Sequence, residues 1–464
     1  VKILYVSQYF PPEMGAPAAR AAELARHWVD EGHEVTVLTG FPNHPTGVVP
    51  PEYRSQFWRL VTRRMWNGVH LIRTWLLPFP NRKPYERMLN YGSFFASSAI
   101  TGLFTSKPDV LIATSPQLLV ALSGWWLAFV KRVPFVFEVR DLWPESLVAV
   151  GLGKGNSLLI RVLGRIAGFL YRRAACIVVV TAAFKTFLIA NWNVPAEKIF
   201  VVENGVETDL FAPLPERDVK RRELGAQDKF LVCYAGTIGL AHGLETLIEA
   251  AAALQSEDPR VQLLLVGEGA DKERIVVLAS QRGLTNLRFE GQQPRENMPS
   301  FISASDACLV MLKKADLFKT VIPTKMLEFM SCARPVILAV DGQAREVMDA
   351  AQAGIFVEPE DARGLVEAMQ RLAADPTLCE TLGTNGRAHI VRYYSRKQTA
   401  IDYLEILNNL LRQGASRPSP PKADDAGCTE RKENKERWFR PFRSTKCAGT
   451  PPVGRDDKLS RGLL

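Results

Sequence analysis

Apolar runs short enough to be strands alternate with helical patterns along this 464-residue chain, and the alternation restarts part-way through. Strands are read at Lys2–Ser7, Glu34–Thr39, Asp109–Ala113, Pro134–Val139, Cys176–Val180 and Ile199–Val202. Helices fall between them at Ala18–Trp28, Gln117–Val130, Leu158–Arg173 and Ala182–Asn191. Largely apolar strands separated by helices form a parallel sheet covered on both faces. After the turn Glu203-Asn204-Gly205 the pattern begins again, with strands at Phe230–Tyr234, Val261–Val266, Leu287–Glu290, Ala307–Met311, Val336–Leu338 and Gly354–Val357. The expected fold is α/β, with two doubly wound, Rossmann-like domains facing a central cleft. The expected boundaries are 1–203 for an acceptor-side domain, 204–395 for a donor-binding domain, 396–412 for a closing helix and 413–464 for a disordered basic tail.

Composition excludes several classes. With 47% apolar residues and no signal segment before the first strand, the chain reads as a globular cytoplasmic protein. Seven cysteines without a C-x-x-C pair fit packed thiols, so neither a disulfide framework nor a structural metal is expected. The net charge of +9 is concentrated in 413–464, where twelve Lys/Arg oppose seven Asp/Glu, leaving about +4 for the body. Nucleic acid is therefore not expected as a partner. A phosphorylated substrate or an anionic membrane surface stays open.

The site candidates follow from where strands end. In Thr320–Leu338, Pro323 opens a short helix that carries Lys325 and, one turn on, Glu328. A helix N-terminus with an early Lys suits a phosphate, and a carboxylate one turn later can accept two ribose hydroxyls. The same spacing also describes an ordinary solvated Lys–Glu pair. Gly236-Thr237 with Gly239, and Gly267-Glu268, close the first two strands of the second half, and their glycines let backbone N–H groups approach a pyrophosphate. Gly15 lies in the loop after the first strand, and Arg140, Asp141 and Glu145 follow the strand Pro134–Val139. Asp141 is a candidate proton acceptor or acceptor-orienting group; capping the next turn and pairing with Arg140 is the competing reading. His242 either faces the diphosphate or sits in solvent, Glu268 contributes through its backbone, and Arg295 reads as a surface residue.

The stretch Arg54–Phe104 interleaves bases and aromatics, including Arg82 and Lys83, and ends in an apolar helix. It is read either as a surface lying on a membrane or as ordinary core. The helix Gln117–Val130, with Trp125-Trp126, is too short to span a bilayer. Trp438–Arg443 in the tail is a second candidate contact.

Taken together, S-Q-Y-F-P-P-E-M-G-A-P-A-A-R, F-E-V-R-D-L-W-P-E-S, V-E-N-G-V-E-T-D-L-F, Y-A-G-T-I-G-L-A-H-G-L-E-T-L and I-P-T-K-M-L-E-F-M resemble GT-B glycosyltransferases of family 4 over roughly 1–411. The narrower resemblance is to bacterial transferases that build O-antigen, capsule or colanic-acid units, including the N-acetyl-fucosamine type. The resemblance implies a retaining transfer from a nucleotide-sugar donor, a UDP-sugar first of all, to a glycan or polyprenyl-linked acceptor. It implies no cofactor and no metal, which agrees with the lack of a D-x-D, and it implies a place on the inner face of the membrane. Glu328 matches the ribose carboxylate, and Gly15 matches the glycine near the donor phosphates. Departures from the family pattern are Thr320 in place of a Glu that contacts the donor sugar, Thr237 and His242 in place of Arg and Lys, and Arg140 in place of a His. Lys325 would then supply part of the missing positive charge. A nucleotide-sugar epimerase, a non-catalytic nucleotide-sugar-binding module and a basic membrane adaptor are the rival functions.

Overall fold

In the computed structural model the residues described are 1–415 except 14, 45, 81–83, 150–156 and 216, all within one compact unit, Val1–Ser416. Its first half runs β1 (Lys2–Val6), α1 (Ala16–Asp30), β2 (Glu34–Gly40), α2 (Pro51–Phe57), β3 (Val61–Trp66), β4 (Val69–Thr74), α3 (Pro84–Leu103), β5 (Val110–Thr114), α4 (Leu118–Lys131), β6 (Phe135–Val139), α5 (Glu145–Ala149), α6 (Leu158–Arg173), β7 (Cys176–Val179), α7 (Ala182–Trp192) and β8 (Ile199–Val201). The second half runs α8 (Arg217–Glu223), β9 (Phe230–Ala235), α9 (Glu245–Glu257), β10 (Val261–Val266), α10 (Lys272–Gln281), β11 (Leu287–Glu290), α11 (Met298–Ala304), β12 (Ala307–Met311), α12 (Thr324–Ser331), β13 (Val336–Ala339), α13 (Gln343–Ala351), β14 (Gly354–Phe356), α14 (Ala362–Ala374), α15 (Pro376–Tyr393) and α16 (Arg396–Ala415).

Two sheets result, ordered β3-β4-β2-β1-β5-β6-β7-β8 and β11-β10-β9-β12-β13-β14. Both are parallel except for β3, which runs antiparallel to β4. In each, the strand order reverses beside the half's first long strand, β1 or β9, and that is where an open sheet leaves a crevice at its carboxyl edge. Successive side chains on a strand go to opposite faces, so Leu4 and Val6 pack under α3, α4 and α6 while Ile3 and Tyr5 pack under α1. α16 crosses back from the second half to finish that second layer. Its Tyr403 meets Trp28 at 5.2 Å, and Trp28 Nε1 donates to Ala400 O at 3.1 Å. The two crossings between halves run side by side, tied by Val206 N to Tyr394 O at 2.8 Å and Arg396 N to Val206 O at 2.9 Å.

Three expectations change. The closing helix, read as 396–412, continues to Ala415; the tail beyond it, with Trp438–Arg443, lies outside the described residues. The stretch Arg54–Phe104 is not one basic surface, because Asn67-Gly68 makes a two-residue hairpin turn, both at positive φ, between β3 and β4. Arg73 on β4 is buried, donating to Gly40 O at 2.9 Å and to Pro11 O, while Arg82 and Lys83 lie outside the described residues. Finally, α13 and α15 were not anticipated; α15 packs against α12 and stabilises the helix that carries Lys325.

Candidate active site

The loops after β9 and β10 approach backbone on backbone. Gly236 has φ +129° and Gly267 φ +145°, and a Cβ on Gly267 would come within 2.0 Å of Gly236 O. Gly236 N bonds Val266 O and Ile238 N bonds Glu268 O, each at 2.9 Å, so the pair forms one rigid floor. Alanine at 267 meets both the positive φ and the carbonyl, and Gly267→Ala is expected to lower unfolding free energy by about 2–4 kcal/mol, measurable by urea denaturation. An unchanged midpoint would show that the two loops are free to part.

Lys325 stands over this floor from the first turn of α12. Its Nζ is 4.0 Å from the Tyr234 ring centroid, would be 3.1 Å from a Cβ on Gly236, and is buried with no hydrogen-bond partner. Burial pushes the amine down to about 7, opposed only in part by Glu328. A buried cation without an acceptor is costly, and the arrangement accepts an anion. His242 lies half-buried beside it, edge-on to Tyr234 at 6.1 Å, with Nδ1 3.2 Å from Gly239 O. Burial, reinforced by Lys325, pushes this imidazole down to about 3, so it is neutral and adds no charge. The Thr237 side chain is exposed, while its carbonyl accepts from Tyr234 Oη at 2.6 Å.

Glu328 leads out of the second half. Its Oε1 accepts from Arg295 Nη1 at 2.7 Å, and Arg295 Nη2 and Nε reach Glu23 Oε1 on α1 at 2.8 and 3.1 Å. Glu23 Oε2 in turn accepts from Arg396 Nε at 2.8 Å. Arg295 is thus no surface residue: it bridges the two halves, with its guanidinium 4.8 Å from the Phe211 ring. Burial alone would lower its pKa, but the two carboxylates outweigh that and raise it. A second tie across the seam is Thr181 Oγ1 to Thr320 O at 2.8 Å.

In the first half Gly15, at φ +115°, precedes α1, and Ala16 O accepts from Arg140 Nη2 at 3.0 Å. Arg140 Nε and Nη1 are buried without partners, and burial lowers this guanidinium to about 10 against the pull of Glu138. Asp141 does not pair with Arg140. It accepts from Trp143 Nε1 at 3.1 Å, and burial raises its pKa despite that bond. Beneath them Arg20 and Glu138 form a fully buried ion pair at 2.9 Å, with Arg20 also donating to Val202 O, Glu203 O and Asn204 Oδ1. Glu13 Oε1 accepts from Asn43 N and His44 N, each at 3.0 Å, and burial lifts its carboxyl to about 7.

Two glycine loops at a crevice, an unpartnered amine and a carboxylate one turn away form one cluster at the carboxyl edge of the second sheet. Residues 15–205 match the family model of a glycosyl transferase 4-like domain, and residues 216–389 that of glycosyl transferases group 1. Among curated relatives, a putative colanic acid biosynthesis glycosyl transferase of Escherichia coli K12, WcaI, is 26% identical over 389 residues, 80% of this chain and 92% of its own. A probable glycosyltransferase of Pseudomonas aeruginosa, WbjE, is 25% identical over 55% of this chain and 62% of its own length. A sucrose-phosphate synthase from Thermosynechococcus elongatus superposes with a TM-score of 0.71 at 22% identity, covering 89% of this chain and 99% of that one. Anabaena HepE in complex with UDP-glucose gives 0.65 at 19%, covering 88% and 99%. The chain is a GT-B glycosyltransferase.

Of the residues singled out in the sequence of this glycosyltransferase, Gly236, Gly267, Lys325 and Glu328 converge in the second half, and Gly15 and Asp141 lie in the first. The Glu23–Arg295–Glu328 chain ties α1, which Gly15 precedes, to α12, which carries Lys325 and Glu328. Arg295, Glu23, Arg396, Arg20 and Arg140's open donors were missed as site features. A signal existed for two of them, since Arg20 and Glu23 interrupt the alanine face of α1 one turn apart. Among the described residues no His, Cys, Asp and Glu cluster could hold a metal.

Proposed function

We propose that this glycosyltransferase moves a sugar from a UDP-sugar to a hydroxyl of a glycan or polyprenyl-linked glycan, with retention, in cell-surface polysaccharide synthesis. The donor sugar within this reading is a hexose or an N-acetylamino sugar such as N-acetyl-fucosamine. The observation that carries it is the buried, unpartnered Nζ of Lys325 above the Gly236–Gly267 floor. Two relatives support it: WcaI is described as a putative colanic acid biosynthesis glycosyl transferase, and HepE has been crystallised in complex with UDP-glucose.

In this reading Gly236, Thr237 and Gly267 offer backbone to the diphosphate, and Glu328, steadied by Arg295, accepts the ribose hydroxyls. As the bond from the anomeric carbon to the β-phosphate oxygen breaks, negative charge gathers on that oxygen and Lys325 stabilises it. The acceptor oxygen bonds the anomeric carbon on the same face, and its proton passes to the departing phosphate. No protein base is consumed, and the enzyme's contribution is positioning and leaving-group stabilisation. Asp141 orients the acceptor hydroxyl from the facing half.

The charge state of Lys325 gives the reading a pH signature. The free amine titrates near 7 and a bound diphosphate raises it, so binding at higher pH takes up a proton. UDP-sugar affinity is therefore expected to be constant below about pH 6, to fall about tenfold per unit above 7, and to level off past the bound-state value. Titration calorimetry in buffers of different ionisation enthalpy reads the proton directly. A pH-independent affinity between 7 and 9 would remove Lys325 from the phosphate site.

The deciding experiment is binding and turnover of UDP-, GDP- and dTDP-sugars by wild type and Glu328→Ala, with and without membrane lipid extract. Release of UDP that rises with lipid and is lost in the variant supports the transfer. Binding with no nucleotide release under any acceptor favours the epimerase or the binding module.

A further inference from the structure

Three neighbouring parallel strands of the second sheet, β9, β12 and β13, begin at one edge, at Phe230, Ala307 and Val336, and a cavity of about 410 Å³ opens there. Phe230, Asp306, Arg334 and Pro335 line it from the strand ends, Arg217 from the start of α8 and Cys379 from α15. Gly236 and Lys325 stand at the opposite, carboxyl edge, about 20 Å away along the six-residue strand β9. The cavity is thus separate from the Lys325 cluster, and it is wide enough for a small molecule.

Its charges are incompletely paired. Asp306 accepts from Arg221 Nη1 at 2.9 Å, from Leu231 N at 2.7 Å and from Arg217 Nη2, so both its oxygens are taken. Arg217 Nε is left buried without a partner. Arg334 Nε is buried and unsatisfied as well, and among the described residues the Arg334 guanidinium makes no hydrogen bond or ion pair. Burial, reinforced by Arg217 as a nearby like charge, lowers its pKa. The other acid lining the cavity among the described residues, Glu380 of α15, is exposed and bonds neither arginine. A lone arginine reaching into water needs no partner. Two guanidiniums at one concavity, each with an N–H sealed from water and no acceptor left for it, are poorly placed until an anion arrives.

We propose that this cavity binds a phosphate dianion, free or as the monoester of a small molecule, with the phosphate held by Arg334 and Arg217 and an ester's body against Phe230, Pro335 and Leu372. Planar guanidinium forks match phosphate oxygens, and a dianion offsets both charges at once. The site does not rest on the transferase reading, since none of its residues belongs to the Lys325 cluster.

Cys379 supplies the readout. Its half-buried thiol lines the cavity, with Sγ donating to Leu372 O at 3.3 Å, whereas Cys176, Cys233, Cys308 and Cys332 are buried. In the full chain, alkylation of Cys379 followed by peptide mass mapping is expected to slow about fivefold or more with saturating inorganic phosphate or glycerol 3-phosphate, and not with glycerol. Protection should persist in Lys325→Met, which removes the other anion-accepting amine, and be lost in Arg334→Met with the thermal melt unchanged. Arg334→Lys, which keeps the charge without the planar fork, should protect to an intermediate degree. Calorimetry on Lys325→Met should find one phosphate site, weakened about tenfold or more when Arg334→Met is added. Stronger protection by glycerol 3-phosphate supports a phosphorylated metabolite as occupant, and equal protection supports phosphate itself. No protection by either anion, protection that survives Arg334→Met, or protection lost in Lys325→Met overturns the proposal. If phosphate protects Cys379 while no nucleotide-sugar binds, the transferase reading fails and this site stands.

Discussion

Lys325→Met is expected to lower kcat/KM by about 10²–10³-fold, the usual loss when one donor to developing negative charge is removed. The same substitution is expected to stabilise the ligand-free protein. In the unfolded chain this amine titrates at its ordinary 10.5, and in the folded one at about 7. Its folded pKa is thus depressed, so as pH falls from 10.5 towards 7 the unfolded chain takes up the proton first and stability is lost. At neutral pH the buried amine therefore costs stability, and a methionine of similar length, packed between Tyr234 and Gly236, relieves that cost by about 1 kcal/mol or more. Urea denaturation without ligand and turnover on the preferred UDP-sugar read the two effects separately. A variant that loses activity and also loses stability would mean that the amine has a structural role, and the leaving-group assignment would fail.

Arg295→Met should produce the second-largest effect, and of a different kind. Arg295 holds Glu328 of the second half with one edge and Glu23 of the first half with the other, which makes it a positioning residue in the proposed reading. Removing it leaves two partly buried carboxylates, Glu328 and Glu23, without their shared cation, although Glu23 keeps Arg396. We expect a stability loss of about 2 kcal/mol, below the value for a fully dry pair because the group retains some solvent contact. We also expect the donor KM to rise about tenfold or more, with a smaller fall in kcat, since Glu328 is then free to swing from the ribose position. Glu23→Gln should move both readouts in the same direction by less, and the double variant should fall short of the sum. Equal stability loss with no change in donor KM would reduce Arg295 to a strut between the halves.

The two predictions also mark how far the sequence could be followed. The strands of both sheets carry their own signal, because a strand buried on both faces is largely apolar, and Cys176–Val179, or Val261–Val266 with its single Gln262, cannot be mistaken for a surface. The hairpin β3–β4 was hidden by arginines and aromatics. Its turn chemistry, Asn67-Gly68, was present but was outweighed by the basic composition around it. Arg73 belongs to that composition and yet is buried, because Gly40 O and the Pro11 carbonyl take its protons. The exposed apolar residues of α3, α4 and α6, among them Ile100, Phe129 and Leu158, come from helices that are separate in sequence, so no single stretch announces them.

The sequence by itself determined the two doubly wound halves, the glycine loops after β9 and β10, and the spacing that puts Lys325 and Glu328 on one helix. These are local properties: a period of two or 3.6 residues, or a turn that tolerates no side chain, is written within a few residues. Only the tertiary structure decided that the Lys325 amine is dry and unpartnered, because that depends on Tyr234 and Gly236, about ninety residues earlier in the chain, closing over it. It alone decided that Arg295 is shared between Glu328 and a carboxylate 272 residues away. Charge pairing is set by distance in space, and a charged side chain has the same appearance in sequence whether it ends in water or between two facing domains.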